Sequence, residues 1–163
     1  MKAITILQPF ASLIACGAKQ IETRSWPTKY RGPIAIHAGV SKKYYGIEHK
    51  EPFFSVLEDQ ITTIADVGGP VEAEWDEVGV DLPYGAVIAI ADLVDCLQVS
   101  ATFNDTEPFA ATLENLRSVN GNEFMFGDYT PGRYAWMLAN VRRIEPVPAK
   151  GMQRIWEWEG QQP

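Results

Sequence analysis

Apolar and polar positions along this chain alternate in short bursts rather than in long helical stripes. The run KAITIL at 2–7 reads as a short buried strand. Gln8 and Pro9 then open a helix, since proline is tolerated at the first helical position, and Phe10, Leu13 and Ile14 follow at helical spacing before Gly17 stops it. Strands are predicted over 20–25 and 31–39, the second bounded by glycines. Ser41 caps a short basic helix over 42–50, and Pro52 opens another with Phe53, Val56, Leu57, Ile61 and Ile64 on one stripe. The GGP at 68–70 ends that helix, and 71–84 reads as an acidic loop. The longest strand-like run, YGAVIAIADLVDCLQV, occupies 84–99. A polar insertion over 100–132 follows, with a helix near 109–117. At 133–144 alternation returns, with Tyr134, Trp136 and Leu138 on one side, and MQRIWEWE supplies a last short strand. Five or six strands with few helices and no βαβ alternation predict an α+β fold built on a small mixed β-barrel.

Composition narrows this picture. The 163 residues suffice for one domain with a proper core, here with insertions near 45–80 and 100–122. Apolar runs such as AVIAIA at 86–91 are strand-sized and far too short to cross a bilayer. Gln8 and Pro9 break the opening apolar run and no cleavage pattern follows, so neither a membrane partner nor a secretory signal is expected. Cys16 and Cys96 lie in apolar stretches without Cys-x-x-Cys spacing, which predicts buried, reduced thiols in a cytoplasmic protein.

Charge is uneven. The net charge of −7 argues against a general duplex DNA-binding surface, which needs many cations to displace counterions. Residues 1–50 nevertheless hold eight Lys and Arg against two Asp and Glu, residues 51–132 one against sixteen, and residues 133–163 five against three. A basic frame is interrupted by an acidic middle. The two ends can therefore build a locally positive site that the average hides, and the acidic insertions, which repel a phosphate, are expected to lie outside it.

The candidate chemistry follows from what is missing and what is clustered. There is no Gly-rich phosphate loop and no Gly-x-Ser-x-Gly elbow. With only His37 and His49 and no zinc-like spacing, neither a metal nor a cofactor is expected. The first dense polar cluster is GAKQIETRSW at 17–26, directly behind the uncharged helix. Strand alternation puts Gln20, Glu22, Arg24 and Trp26 on one face, with Lys19 joining them only from the turn behind Gly17. Such a pair serves equally as a surface ion pair worth about 0–1 kcal/mol or as a site. WPTKYRG at 26–32 adds Trp26 and Tyr30 beside Lys29 and Arg31, a mixture that suits an unstacked base and its phosphate as well as it suits a core-capping loop. His37 falls on the less apolar face of its strand, and Asp92 in register with Ile88, Ile90 and Val94 requires a partner, most simply a basic one.

The stretch LQPFASLIACGAKQIETRSWPTKYRGPIAIHAG resembles the ASCH domain, a branch of the PUA-like barrels. Its Gly-x-Lys-x-x-Glu-x-Arg hallmark is met by Gly17, Lys19, Glu22 and Arg24. The resemblance continues through RGPIAIHA, YGAVIAIADLVDC, GDYTPGRYAWML and PVPAKGMQRIWEW, sparing roughly 45–80 and 100–122. It implies a PUA-like barrel with a cleft beside the first helix, and a protein acting on RNA or nucleotides. Gln8, Lys19, Glu22, Arg24, Trp26, Tyr30, Arg31 and His37 are the ligand-binding candidates, for RNA, a nucleotide or a modified nucleoside. An alternative is implied by a bacterial branch that hydrolyses the acetyl amide of N4-acetylcytidine with a lysine, a threonine and a glutamate. Lys19 matches the lysine, and Glu22 stands at the threonine position. Glu107, Glu114 and Glu123 lie in the second insertion as candidates for the distant glutamate. Lys19 and Glu22 would then be catalytic, with Lys19 neutral at working pH. A ribonuclease with His37 as base is a second alternative.

Overall fold

The computed structural model describes residues 1–58, 82–105 and 108–160. Among these, the elements run β1 (Lys2–Ile6), α1 (Phe10–Ala15), β2 (Ile21–Arg24), β3 (Gly32–Ala38), α2 (Phe53–Leu57) and β4 (Ala86–Phe103). They continue with β5 (Ala110–Leu113), β6 (Ser118–Asn120), α3 (Gly121–Met125), β7 (Tyr134–Pro148) and β8 (Ile155–Glu157). The class is α+β, dominated by a mixed sheet of order β2-β7-β4-β3-β1-β8. Only β1 and β3 pair in parallel, with α1 and β2 carried in the connection between them.

Two long strands shape the sheet. β4 and β7 are paired over most of their length with three shifts of register, and each such irregularity bends and twists the strand that carries it. Alternation along β7 feeds two cores. Trp136 and Leu138 face a main cluster with Ile4, Ile14, Ile36 and Leu93, while Ala135 and Met137 face a second one with Ile21, Val99, Leu113 and Tyr129. The apolar face expected for 133–144 is the main-core side.

The sheet is not closed by hydrogen bonds into the barrel that the resemblance implies; β2 and β8 are its two ends. The reason is local. β8 covers β1 only from Lys2 to Ile4. Beyond that, the Thr5 carbonyl is taken by a side chain, with Arg24 Nη2 donating to it across 2.7 Å. β2 thus faces β1 over an open seam that Arg24 bridges.

Several expectations are corrected. The basic helix over 42–50 is a turn followed by one short 3-10 turn at Ile47–His49, because Gly46 takes a positive φ of 93°. The helix near 109–117 is the β5–β6 hairpin, whose Ala111, Leu113 and Val119 alternate into the second core. Cys16 is exposed at the end of α1 and Cys96 half-buried, so neither is a core thiol. Asp92 is partnered by the Asn140 amide at 2.9 Å rather than by a cation. α2 buries Phe53 and Leu57 as expected, whereas Ile61, Ile64 and the acidic loop over 71–81 lie outside the described residues. No described helix is long and apolar enough to cross a membrane.

Candidate functional site

The seam between β1 and β2 opens into a cleft of about 520 Å³, within the roughly 300–1,000 Å³ of small-molecule sites. One wall is apolar and aromatic: Phe10 from α1, Tyr44 and Ile47 from the turn, Phe53 from α2 and Phe126 behind α3. The other is polar, with Glu22, Thr23 and Arg24 of β2 beside Asp128 and Arg133. Residues of the first insertion therefore do contribute to the wall, through Ile47 and Phe53, because α2 packs its aromatic face onto Phe126 and Phe10.

The polar corner is built by the end of α1. Gly17 adopts φ of 82°, and the chain turns back so that the Lys19 amide donates to the Leu13 carbonyl. Lys19 then points inward. Its side chain is 1% exposed, and Nζ donates to the carbonyls of Ile21 and, at 2.8 Å, Phe126. Burial lowers the Lys19 pKa, while Glu22 and Glu123 act in the opposite sense and Arg24 adds to the lowering. Lys19 stands behind the cleft wall rather than on it, with Nζ 3.9 Å from Glu22 Oε2.

Glu22 and Arg24 project from the same face of β2, with Arg24 Nε 3.0 Å from Glu22 Oε1. That contact is an ion pair without a hydrogen bond, for the buried Nε–H is not aimed at the oxygen and has no acceptor. Glu22 itself is 9% exposed, yet its carboxylate accepts no hydrogen bond from the described residues. Two cations hold it in place, and its lone pairs are open to the cleft. Beside it, Arg133 donates to the carbonyls of Asp128 and Thr23 and pairs with the Asp128 carboxylate at 3.2 Å. Burial opposes ionisation of Asp128, but bonds from Thr130 and the nearby Arg133 outweigh it and hold the carboxyl below its usual value.

The remaining candidates are largely taken up within the fold. Gln8 is buried, donating to Ser12 Oγ at 2.8 Å and to the Pro83 carbonyl at 2.7 Å. Trp26 packs edge-on against Trp136 in the main core, and the Tyr30 hydroxyl donates to the Pro33 carbonyl. Arg31 pairs with Asp95 at 2.9 Å. His37 is 1% exposed, with Nε2 3.0 Å from the Ala149 carbonyl and Nδ1 buried without a partner among the described residues. Of the three glutamates, Glu114 accepts from the Gln98 amide on the hairpin and Glu107 lies outside the described residues. Glu123 receives the amides of Gln20, at 2.7 Å, and Ile21, clamping α3 to the start of β2. Burial pushes the neighbouring Tyr129 phenol up, and Glu123 adds to that. The cleft residues that sequence reasoning missed are Phe10 as a wall rather than a core residue, Tyr44, Phe126, Asp128 and Arg133. The KKYY run at 42–45 marks Tyr44 and the GDYTPGR turn marks Asp128 and Arg133, while Phe10 had its signal in the helical stripe and Phe126 had none. No group of three or more His, Cys, Asp or Glu among the described residues is placed to hold a metal ion.

The ASCH domain family model matches residues 4–148, and the chain belongs to that family. It is 28% identical over 154 residues to Activating signal cointegrator 1 of Homo sapiens. The same comparison with Activating signal cointegrator 1 of Mus musculus gives 25%. Each alignment takes in 94% of this chain and 22% of the relative, so the chain spans about a fifth of the length of these curated relatives.

Proposed function

We propose that the cleft binds a base of single-stranded RNA or a free nucleotide, read by Glu22 and Arg24 and held against the aromatic wall. On this reading the sheet is a PUA-like barrel left open at the β1–β2 seam, and the opening is the site. The observation that carries it is the Glu22 carboxylate: nearly buried, fixed by Lys19 and Arg24, and accepting no hydrogen bond from the described residues. A carboxylate fixed beside two cations and open to the cleft is a strong acceptor, so a ligand that brings N–H groups is favoured. An exocyclic amino group of a base supplies them, and the Arg24 guanidinium beside the carboxylate offers a donor to an adjacent ring nitrogen. Phe10 and Tyr44 provide the ring surface on which a base rests.

Amide hydrolysis is the second reading, favoured by the burial that lowers the Lys19 pKa. Against it, Lys19 Nζ is bonded to two backbone carbonyls and lies off the cleft surface. Binding is the reading we adopt.

Calorimetric titration with nucleosides tests it. Cytidine should bind more tightly than uridine and adenosine more tightly than inosine, because each first member carries the amino group. Glu22→Gln keeps the shape but exchanges a charged acceptor for a neutral one, and should cost about tenfold or more in affinity. Equal affinity for amino and oxo bases, or an unaffected variant, would overturn it. Incubation with N4-acetylcytidine, followed by chromatography for cytidine, decides the hydrolase reading, since turnover lost in Lys19→Arg would establish a neutral lysine at work.

A further inference from the structure

The turn ahead of α2 carries features that the cleft does not use. Tyr45 is 64% exposed, and Lys42 and Lys43 are exposed beside it. Lys42 Nζ lies 5.5 Å from the Tyr45 ring centroid and 6.0 Å from that of Tyr84, so this one cation sits between two rings. Lys43 Nζ lies 4.9 Å from the Tyr44 ring centroid. Two adjacent lysines of one turn thus meet three rings, two within the turn itself and one, Tyr84, across from it. The acidic residue of the turn is withdrawn from it. Glu48 is 2% exposed and its carboxylate accepts the Gly46 amide at 2.9 Å, which leaves the outward side chains of the turn cationic or aromatic.

This strip is joined to the cleft. Tyr44 lines the cleft and meets Phe10 edge-on at 5.3 Å between centroids. At the other end, Tyr84 follows Pro83, whose carbonyl is held to α1 by Gln8. Alternating rings and ammonium groups, leading from solvent to the mouth of a cleft, match what a single strand presents: flat bases along a line of phosphates.

We propose that Lys42, Lys43, Tyr45 and Tyr84 form a docking platform for single-stranded RNA, outside the cleft and continuous with its mouth. The proposal rests on the cleft reading for where the strand leads. The platform adds affinity for a chain of nucleotides and none for a single nucleoside. Tyr45 and Tyr84 stack bases, and the lysines meet phosphates and confer salt dependence.

The test compares a labelled single-stranded RNA of about ten nucleotides, in the usual range of single-strand site sizes, with the nucleoside that the cleft prefers. Both are titrated into the full chain by anisotropy and calorimetry. Tyr45→Ala should weaken the oligonucleotide about tenfold, one stacked base being lost. Lys42→Gln should reduce the slope of log affinity against log salt by about 0.7, the value of one phosphate contact on a single strand. Neither change should alter nucleoside affinity, since neither side chain lines the cleft. Oligonucleotide affinity equal to that of the parent chain in both variants would overturn the platform. A nucleoside that binds while the oligonucleotide gains nothing over it would also overturn it and leave the cleft reading standing. If the parent chain binds neither, both fail. Heparin, a polyanion without bases, completes the test: a Tyr45→Ala variant that loses heparin and RNA equally would show a charge patch and not a stacking platform.

Discussion

The corner at Lys19–Arg24 and the stretch from Trp26 to His37 carry the same kinds of side chain on neighbouring parts of the chain. Both offer cations and hydrogen-bonding or aromatic groups of the kind suited to a base or its phosphate. They differ in where the polar atoms are spent. In the second stretch most groups are answered from within: Tyr30 by the Pro33 carbonyl, Arg31 by Asp95, His37 Nε2 by the Ala149 carbonyl, and Trp26 by the Trp136 ring, while His37 Nδ1 is buried without a partner among the described residues. In the corner, Lys19 is answered twice, but Glu22 is gripped by cations without accepting a hydrogen bond from the described residues. Residue type marks both as sites. Unpartnered buried side-chain atoms, which call for a ligand or another cause, occur once in each among the described residues, at Arg24 Nε and at His37 Nδ1. Access separates them: Glu22 and Arg24 line the cleft and no residue from Trp26 to His37 does.

The contrast breaks most readily at Lys19. Lys19→Met leaves the Ile21 and Phe126 carbonyls without donors and Glu22 with one cation fewer, and should cost about 2–4 kcal/mol in urea denaturation near pH 7. The pH dependence has a definite sign. The pKa of Lys19 in the folded state is lowered below 10.5 by burial, so the unfolded chain binds more protons between those two values. Stability contributed by this group therefore rises with pH through that window, and a neutral amine can still donate to both carbonyls. The difference between the parent and Lys19→Met should widen toward alkaline pH. A difference that narrows would place the ammonium in an environment that favours it. Tyr129, pushed upward by burial, makes stability fall only above its usual 10, and it is common to both chains.

A smaller change tests how the corner is held. Glu123 takes the amides of Gln20 and Ile21, a carboxylate bridging two donors where β2 begins. Glu123→Gln retains one acceptor oxygen and should cost about 1 kcal/mol. If β2 depends on this clamp for the aim of Glu22, nucleoside affinity should fall with it. Unchanged affinity would make Glu123 a prop for α3 alone.

Much of this corner was legible in the residues. The uncharged helix, its glycine stop and two-residue spacing put Glu22 and Arg24 on one face, and the structure has them there. The inward aim of Lys19 was not legible, because it depends on carbonyls contributed by Phe126, more than a hundred residues away. Likewise the hairpin at 110–120 was hidden: its Ala-Ala-Thr-Leu strand is too short for alternation to outweigh helical propensity, and its partner strand is three residues long. The aromatic wall was missed for a further reason. Tyr44 and Phe126 belong to segments whose average composition is polar, and only tertiary folding brings them to Phe10.

The smallest expected effect falls on the second stretch and serves as its control. Arg31 is a cation beside two aromatic residues, as Arg24 is, and by residue type alone it is equally suited to a nucleotide. Its guanidinium is already engaged by Asp95 and by the carbonyls of Thr28 and Tyr30, and side-chain exposures of 39% and 47% mark the ion pair as a surface one. Surface pairs of this kind contribute about 0–1 kcal/mol, less at high salt. Arg31→Ala should therefore lower stability by no more than about 1 kcal/mol, and nucleoside titration should return the parent affinity. Glu22→Gln, a far milder change in volume, should lose its affinity in the same assay. If Arg31→Ala proves the more damaging of the two, the ligand lies along 26–37, and lining the cleft fails as the criterion that separates a site from its neighbour.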